Sequence, residues 1–240
     1  MSPKPNISFI IPAFNEEKLL AKTLASIHNS MKFVERSYEI IVVDNNSTDR
    51  TSQIATEEGA KVVFEAHNQI ARARNKGGEF AVNPYLIFVD ADTTVSWELV
   101  NETVNNLDSG SCCGGGAMME FDIPVHFFYQ TVLNLFHRLA GIFKLAAGCY
   151  VYCLRESFNA VGGFNLKYYA GEEIRFSRDL SKWGKSRGLN FQFIQSTRVK
   201  TSTRKFGSMP KVIFALGMHL LLPFAVFSRR LCWFWYKRKD

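Results

Sequence analysis

The stretch Tyr85–Thr93, YLIFVDADT, decides how the surrounding sequence is interpreted. Its first five residues form an apolar run typical of a strand buried on both faces, and Asp90 and Asp92 follow directly. Carboxylates at the end of a buried strand cost stability unless something pairs them. Two acids with one spacer can hold a hard divalent cation, with diphosphate oxygens in other coordination positions. An isolated Asp-x-Asp also fits a solvated turn, so the rest of the chain decides between these interpretations.

Upstream of this stretch, apolar runs alternate with helical patterns. Strands are predicted at residues 7–11, 39–43, 61–65 and 85–89, with the first ending at Pro12. Helical patterns follow the first three, and Asn15 is predicted to cap the first helix. Four alternations in about ninety residues predict an α/β fold, with a mostly parallel sheet covered by helices on both faces.

Three of these strands end in unusual polar groups. The first runs into residues 12–16 (PAFNE), the second into 44–47 (DNNS), and the fourth into Asp90-Ala91-Asp92. Ligands of open parallel sheets bind outside the carboxyl ends of the strands. The three ends together therefore favour a ligand site over three solvated turns, although Ser47 alone is equally consistent with a helix cap.

The second half of the chain is less regular. Strands are predicted at 112–121 and 148–154, and helices at 124–147, 157–161 and 171–183. We expect one domain over residues 1–210, with a donor-binding half of about 1–95 and an acceptor half of about 96–210. Residues 211–240 are expected to form a separate hydrophobic and basic helical tail.

The net charge of +7 arises from residues 198–240, which include the end of the predicted domain as well as the tail. Residues 1–197 carry 19 Lys and Arg against 21 Asp and Glu, whereas residues 198–240 carry 10 against one. The five cysteines form no Cys-x-x-Cys pair, and the amino terminus shows no secretory signal, so we expect reduced thiols in a cytosolic compartment.

The tail combines an apolar run with aromatic and basic residues. Val212–Phe227 would span roughly 24 Å as a helix, which is short of a hydrocarbon core of about 30 Å. Pro223 interrupts the run, and Trp233–Tyr236 precede three basic residues. We expect an interfacial anchor at the cytoplasmic face of a membrane. The alternative is a helix packed on the domain or on a second copy.

Six segments, taken in order, resemble the family-two glycosyltransferases. They are ISFIIPAFNEE, EIIVVDNNSTDRT, ARARNKG, YLIFVDADT, GCYVYCLRESFNAVGGFN and AGEEIRFSRDLSKWG. The resemblance covers roughly residues 7–205. It implies the GT-A (Rossmann-like) fold, a nucleotide-sugar donor such as a UDP-sugar, and a divalent metal, Mn²⁺ or Mg²⁺.

The resemblance also implies roles for individual residues. Donor-binding roles fall on Pro12, Ala13, Glu16, Asp44, Asn46, Arg72, Asn75, Asp90, Arg204 and Lys205. Within this set, Asp44 would accept a hydrogen bond from a uracil ring, and Arg204 and Lys205 would pair with the diphosphate. Asp92, with Asp90, would hold the metal. Arg72 is alternatively a residue of a solvated helix face.

Glu172-Glu173 stands where the family usually has Glu-Asp. The resemblance makes Glu173 the general base that deprotonates the acceptor, with Glu172 as the other candidate. A neighbouring carboxylate disfavours ionisation and so raises basicity. The competing interpretation is a pair of exposed acids in the first turn of a helix, favoured by the helix dipole.

The sequence thus predicts a metal-dependent, inverting glycosyltransferase of hexosyltransferase type. The basic, apolar tail favours a lipid-linked acceptor or a cell-envelope glycan precursor, and its aliphatic and aromatic content suits lipid better than nucleic acid. Two alternatives are a nucleotidyltransferase of related fold and a non-catalytic binding module at the membrane. The first lacks a Gly-rich basic signature after the first strand, and the second leaves the acidic pairs unexplained.

Overall fold

A computed structural model describes residues 6–122, 148–203 and 226–232. The helix predicted at 124–147 lies outside the described residues, as do Arg204, Lys205 and most of the predicted tail.

One mixed sheet forms the centre of the described part. Its strands are β1 Ile7–Ala13, β2 Tyr38–Asp44, β3 Lys61–Phe64, β4 Tyr85–Val89, β5 Thr93–Thr94, β6 Cys112–Phe121, β7 Tyr150–Leu154 and β8 Asn190–Thr201. The helices are α1 Leu20–Met31, α2 Thr51–Glu57, α3 Ile70–Phe80, α4 Trp97–Asp108, α5 Arg155–Val161 and α6 Glu172–Lys185. The strand order is β3-β2-β1-β4-β7-β6-β8-β5.

The donor half is parallel, as predicted. β1 pairs in parallel with both β2 and β4, and β2 pairs in parallel with β3. β1 does not stop at Pro12 but continues to Ala13 opposite Asp44. The ladder to β4 ends at Ile10, so a residue without an N–H interrupts no bond to that neighbour.

Beyond β4 the sheet changes direction. β7 is antiparallel to both β4 and β6, β8 is parallel to β6, and β5 is antiparallel to β8. β6 contains three consecutive glycines, residues 114–116, where the neighbouring strands lie close. A Cβ at Gly115 would collide with the Gln192 carbonyl and the Tyr152 hydroxyl. β8 and α4 were not predicted from the sequence.

Helices cover both faces, which confirms the predicted α/β class. One face buries Phe9, Ile11 and Leu24 in a cluster that includes residues of α1 and α4. The other face buries aromatic side chains from β4, α5 and α6, and Phe164 stacks on Phe176 with ring centroids 4.1 Å apart. The second cluster also includes residues of α3, so α3 and α6 share the face that carries the acidic pair.

Candidate active site

Asp90 and Asp92 occupy a tight turn after β4. The Asp90 N–H donates to the Cys149 carbonyl at 3.2 Å, and the Asp90 carbonyl accepts from the Thr93 N–H at 3.1 Å. Asp92 is only 6% exposed, and both of its carboxylate oxygens are buried. The second acid of the motif is therefore held in the body of the protein rather than in a solvated turn.

A cleft runs alongside Asp92. Its lining residues are Leu19, Lys22, Thr23, Asp92, Thr94, Asp122, Lys200, Thr201 and Ser202. The end of β8 forms one wall, because the Ser202 N–H donates to the Asp92 carbonyl at 3.0 Å and the Thr203 N–H donates to Asp122 Oδ1 at 2.9 Å. The described chain therefore ends, at Thr203, close to Asp92, and the roles of Arg204 and Lys205 stay predictions.

Arg74 links the aspartate turn to the acidic pair on α6. Its side chain is 3% exposed. Nη2 donates to Asp90 Oδ1 at 3.0 Å and to the Gly148 carbonyl at 2.6 Å, and Nη1 donates to Glu172 Oε1 at 2.8 Å. One buried guanidinium thus brings Asp90 and Glu172, which are 82 positions apart in the sequence, to the same point.

The charges around Arg74 decide its ionisation. Burial alone would lower the pKa of Arg74, but the negative charges of Asp90, Glu172 and Glu173 outweigh it and raise that pKa. The guanidinium also lies over the ring of Phe164, 5.2 Å from the ring centroid. Arg74 is therefore a permanent cation among carboxylates, and sequence reasoning missed it in favour of Arg72.

Glu172 and Glu173 differ in environment. Glu172 is 3% exposed and ion-paired to Arg74, which rules out a pair of solvated acids in a helix first turn. Glu173 is partly exposed and packs over Gly148, where an added Cβ would lie 3.2 Å from the Glu173 Cδ. Burial, and then the charge of Glu172, raise the pKa of Glu173 to about 8, against the opposing effect of Arg74.

Because of this difference in environment, Glu172 and Glu173 are suited to different roles. Glu172 holds a buried ion pair, whereas Glu173 is the carboxyl whose pKa lies near neutrality, where a general base is most effective. Glycine at position 148 leaves room for the Glu173 carboxyl beside the backbone carbonyl that binds Arg74.

The predicted nucleoside side lies at the ends of β1 and β2. Ala13 pairs with Asp44, and Glu16 is buried with its N–H donating to Thr51 Oγ1 at 2.8 Å. Asp44 Oδ1 accepts from the Ser47 N–H at 2.9 Å, and Oδ2 accepts from the Ser52 hydroxyl. Pro12, Ala13, Glu16 and Asp44 are thus brought to one edge of the sheet.

Asn46 lies in the same loop in the left-handed region, with φ 67°. Its Nδ2 donates to Asn68 Oδ1 at 3.2 Å, so its side chain bridges the loops that follow β2 and β3.

The helix cap predicted at Asn15 is wrong, and Ser47, for which a helix cap was the alternative, does not cap α2. α1 begins at Leu20 without a side-chain cap, and α2 begins at Thr51 after Arg50. Asn15, with φ 52°, instead accepts from the Thr48 N–H, and Ser47 Oγ accepts from the Asn15 N–H at 3.0 Å. The two side chains fasten the β1 and β2 loops to each other rather than to a helix.

Arg72 and Asn75 do not share an environment. The Asn75 amide donates to the Phe164 carbonyl at 2.8 Å and accepts from the Phe164 N–H at 2.7 Å, so it braces the Gly162-Gly163-Phe164 turn. Burial would raise the pKa of Glu65, but the His67 N–H, Lys76 and then Arg72 lower it below its usual value. Their donor-binding roles stay predictions.

The residues at the aspartate turn meet part of the requirement for binding a hard cation. Asp92 and Asp122 both line one cleft, and hard cations prefer oxygen ligands. Asp90 is engaged by Arg74 through one oxygen, and its side chain keeps 22% exposure. No group of three or more His, Cys, Asp or Glu suited to a metal occurs among residues 6–122, 148–203 and 226–232, so diphosphate oxygens would have to supply further ligands.

The sequence matches a known protein family. The family model "Glycosyl transferase family 2" matches residues 8–154, from the second residue of β1 through β4, the aspartate turn and on to β7, with Arg74 included. The chain belongs to glycosyl transferase family 2. The resemblance inferred from its six segments is thereby confirmed, and the protein is a glycosyltransferase by family.

Relatives agree with this assignment. An uncharacterized glycosyltransferase of Mycobacterium tuberculosis is 33% identical over 105 residues, 44% of this chain and 45% of the relative. The 4,4'-diaponeurosporenoate glycosyltransferase of Staphylococcus haemolyticus is 39% identical over 106 residues, 41% of this chain and 27% of the relative. These matches span less than half the length of either curated relative.

Solved structures share the fold of this glycosyltransferase. A mannosyltransferase of Pyrobaculum calidifontis, in complex with GDP-Man and Mn²⁺, matches with a TM-score of 0.72 at 19% identity, over 93% of this chain and 64% of that one. Glucosyl-3-phosphoglycerate synthase of Mycobacterium tuberculosis, in complex with Mn²⁺, UDP and phosphoglyceric acid, matches with a TM-score of 0.61 at 19% identity, over 89% and 78%. The GT-A-type α/β fold is confirmed by these neighbours.

Within the described ranges, no helix is both long enough and apolar enough to span a bilayer.

Proposed function

We propose that this glycosyltransferase moves a hexose-type sugar from a nucleoside diphosphate sugar, a UDP-sugar in the first instance, to an acceptor hydroxyl or phosphate by single displacement with inversion. The observation that carries the proposal is Arg74, which joins Asp90 of the aspartate turn to Glu172, the neighbour of Glu173. A carboxyl with a pKa near 8 therefore lies beside the strand end expected to hold the donor diphosphate.

In this reaction Glu173 takes the proton of an acceptor hydroxyl. The acceptor oxygen forms a bond to the anomeric carbon as the bond from that carbon to the diphosphate oxygen breaks. The nucleoside diphosphate leaves with the electron pair of the broken bond. Glu172 stays paired with Arg74 throughout, which keeps Glu173 next to a negative charge and maintains its basicity.

The donor would lie along the carboxyl edge of the sheet. Pro12, Ala13 and Glu16 would contact the nucleoside, and Asp44 would accept from an imide N–H of the base. Support comes from the shared edge and from the Ser47 and Ser52 hydrogen bonds that fix the Asp44 carboxylate.

Asp92, with Asp90, would hold the divalent metal, Mn²⁺ or Mg²⁺. When bound, the metal supplies positive charge that stabilises the leaving diphosphate. The burial of Asp92 beside a cleft that Asp122 also lines supports this assignment. Lys22 and Lys200 line the same cleft and add positive charge near the expected position of the diphosphate.

For the acceptor we propose a lipid-linked molecule or an envelope glycan precursor, met at the cytoplasmic face of a membrane. Support comes from the apolar and basic sequence of residues 211–240. In the described part of that region, Phe227 is 46% exposed, and Arg229 and Arg230 are exposed close to it in the chain. Exposed apolar and cationic side chains together suit an anionic lipid surface.

Calorimetry with a panel of UDP- and GDP-sugars, with and without Mn²⁺, tests the donor and metal. We expect metal-dependent binding of at least one sugar nucleotide, lost in Asp92→Asn. Asp179→Asn is the matched control, because Asp179 lies partly exposed on α6, where its Oδ2 accepts from Arg175 Nε at 2.7 Å. Metal-independent binding in the wild type, or unchanged binding in Asp92→Asn, would contradict the metal assignment.

A further inference from the structure

Residues 226–232, called here the docking segment, pack against the domain at the point where the apolar run Val212–Phe227 ends. The Tyr169 N–H donates to the Val226 carbonyl at 2.7 Å, and the rings of Tyr168 and Phe227 lie 4.8 Å apart between centroids. A turn closes behind these contacts, since the Ser228 carbonyl accepts from the N–H groups of Leu231 and Cys232. Cys232 is thereby fully buried.

The buried end of the docking segment is also influenced by the acidic pair. Burial, and then the negative charge of Glu172, raise the pKa of the Cys232 thiol to about 11.

The loop formed by residues 165–170 is held on its other side by α3. Gln69 is buried at the amino end of α3, and its Nε2 donates to the Leu166 carbonyl at 2.7 Å and to the Tyr168 carbonyl at 3.0 Å. The loop is therefore fixed by Gln69 from within the domain and by the docking segment from the far end of the chain.

This loop leads directly into the catalytic carboxyls. Gly171, with φ 71°, turns the chain into α6, whose first two residues are Glu172 and Glu173. Asp179, and then Tyr168, raise the pKa of Arg175 on α6. A displacement of Tyr168 or Tyr169 would move the start of α6 through residues 170 and 171, which join them.

We infer that the docking segment belongs to the catalytic site. Phe227 is a positioning residue that, through Tyr168 and Tyr169, holds Glu173 in its position relative to the donor. The inference rests on the proposed function, in which Glu173 is the base. It separates residues 226–232 from the rest of the predicted tail, because this part of the chain serves the transfer step and not only attachment to a membrane.

The test compares three variants of the full chain: Phe227→Ala, Phe227→Tyr and, as the control, Leu231→Ala. Leu231 lies in the same segment and its side chain is exposed, while its N–H donates to the Ser228 carbonyl at 3.1 Å. Docking is measured by alkylation of Cys232 with N-ethylmaleimide and peptide mass spectrometry. The other four cysteines are buried in the described domain and serve as internal references.

We expect Cys232 to be protected in the wild type and to react at least about tenfold faster in Phe227→Ala. The kcat of sugar transfer should fall by about tenfold to a hundredfold, as for a small misplacement of a reacting group, while the KM for the donor changes less than about twofold. Phe227→Tyr keeps the ring and should restore both values, and Leu231→Ala should resemble the wild type.

Should Phe227→Ala fail to fold, Tyr168→Ala removes the other half of the ring contact and should show the same signature. Unchanged Cys232 reactivity and kcat in Phe227→Ala or Tyr168→Ala would overturn the inference, and so would an equal loss in Leu231→Ala. Alkylation needs no turnover. A wild type without transfer activity but with protected Cys232 would therefore refute the proposed function while leaving the docking contact in place.

Discussion

Replacement of Arg74 by Met tests how the site is held together. Methionine fills part of the buried volume but removes the donors to Glu172, Asp90 and the Gly148 carbonyl. Glu172, which is 3% exposed, then keeps a buried charge whose main cation is gone. Removal of one partner from a buried ion pair costs about 3–5 kcal/mol. That cost is a large fraction of a total stability of about 5–15 kcal/mol.

Urea unfolding followed by circular dichroism measures the loss. We expect Arg74→Met to lose about 3–5 kcal/mol at pH 7.5 and less at pH 5, because unpaired carboxylates take up protons as the pH falls. Arg72→Met, two residues along the same helix, is the matched control and should change stability by less than about 0.5 kcal/mol. The double variant Arg74→Met/Glu172→Gln should recover part of the loss.

A loss below about 1 kcal/mol in Arg74→Met would refute this reasoning, since breaking a buried pair costs several times more. An equal loss in Arg72→Met would do the same, because it would show that the helix and not the buried ion pair carries the effect.

Two further substitutions test the turn and the nucleoside edge. Gly163→Ala should cost about 1–3 kcal/mol in thermal unfolding, because φ is 69° and an added Cβ would lie 2.5 Å from Asn75 Oδ1. Gly162→Ala, with φ 75° and open space, should cost less, and equal losses would contradict the role of Asn75. Asp44→Asn should weaken UDP binding in calorimetry by about tenfold, equivalent to about 1.4 kcal/mol. Unchanged UDP affinity would remove Asp44 from the proposed donor site.

The donor half of the fold was predictable because three of its four strands, β1, β2 and β4, are buried on both faces. Tyr85–Val89 is apolar throughout and occurs as predicted. β8 has no such pattern: it mixes buried and exposed positions irregularly, and its register with β6 shifts between Ala117 and Met118. Its place is set by pairing with distant β6, which local sequence does not reveal.

Arg74 shows where sequence reasoning about the site stopped. The resemblance gave donor-binding roles to Arg72 and Asn75, but the buried face of α3 carries Ala71, Arg74 and Gly78. Small residues three and four positions to either side of an arginine indicate a closely packed face, and this was the available signal. The partners of Arg74 are Asp90 in the turn after β4, Gly148, and Glu172 at the start of α6. The ion pairs therefore depend on the tertiary fold.

The pH dependence of kcat tests the central claim, that Glu173 is the base of a glycosyl transfer. Its pKa is raised to about 8, so the fraction of the required carboxylate grows as the pH rises. With saturating donor and acceptor, kcat should rise from pH 6 to a plateau above an apparent pKa near 8. In Glu173→Gln, kcat should fall by about a hundredfold or more and lose this rise, with donor affinity nearly unchanged. A flat wild-type profile from pH 6 to 9, or a Glu173→Gln variant that keeps the wild-type rate, would contradict the account.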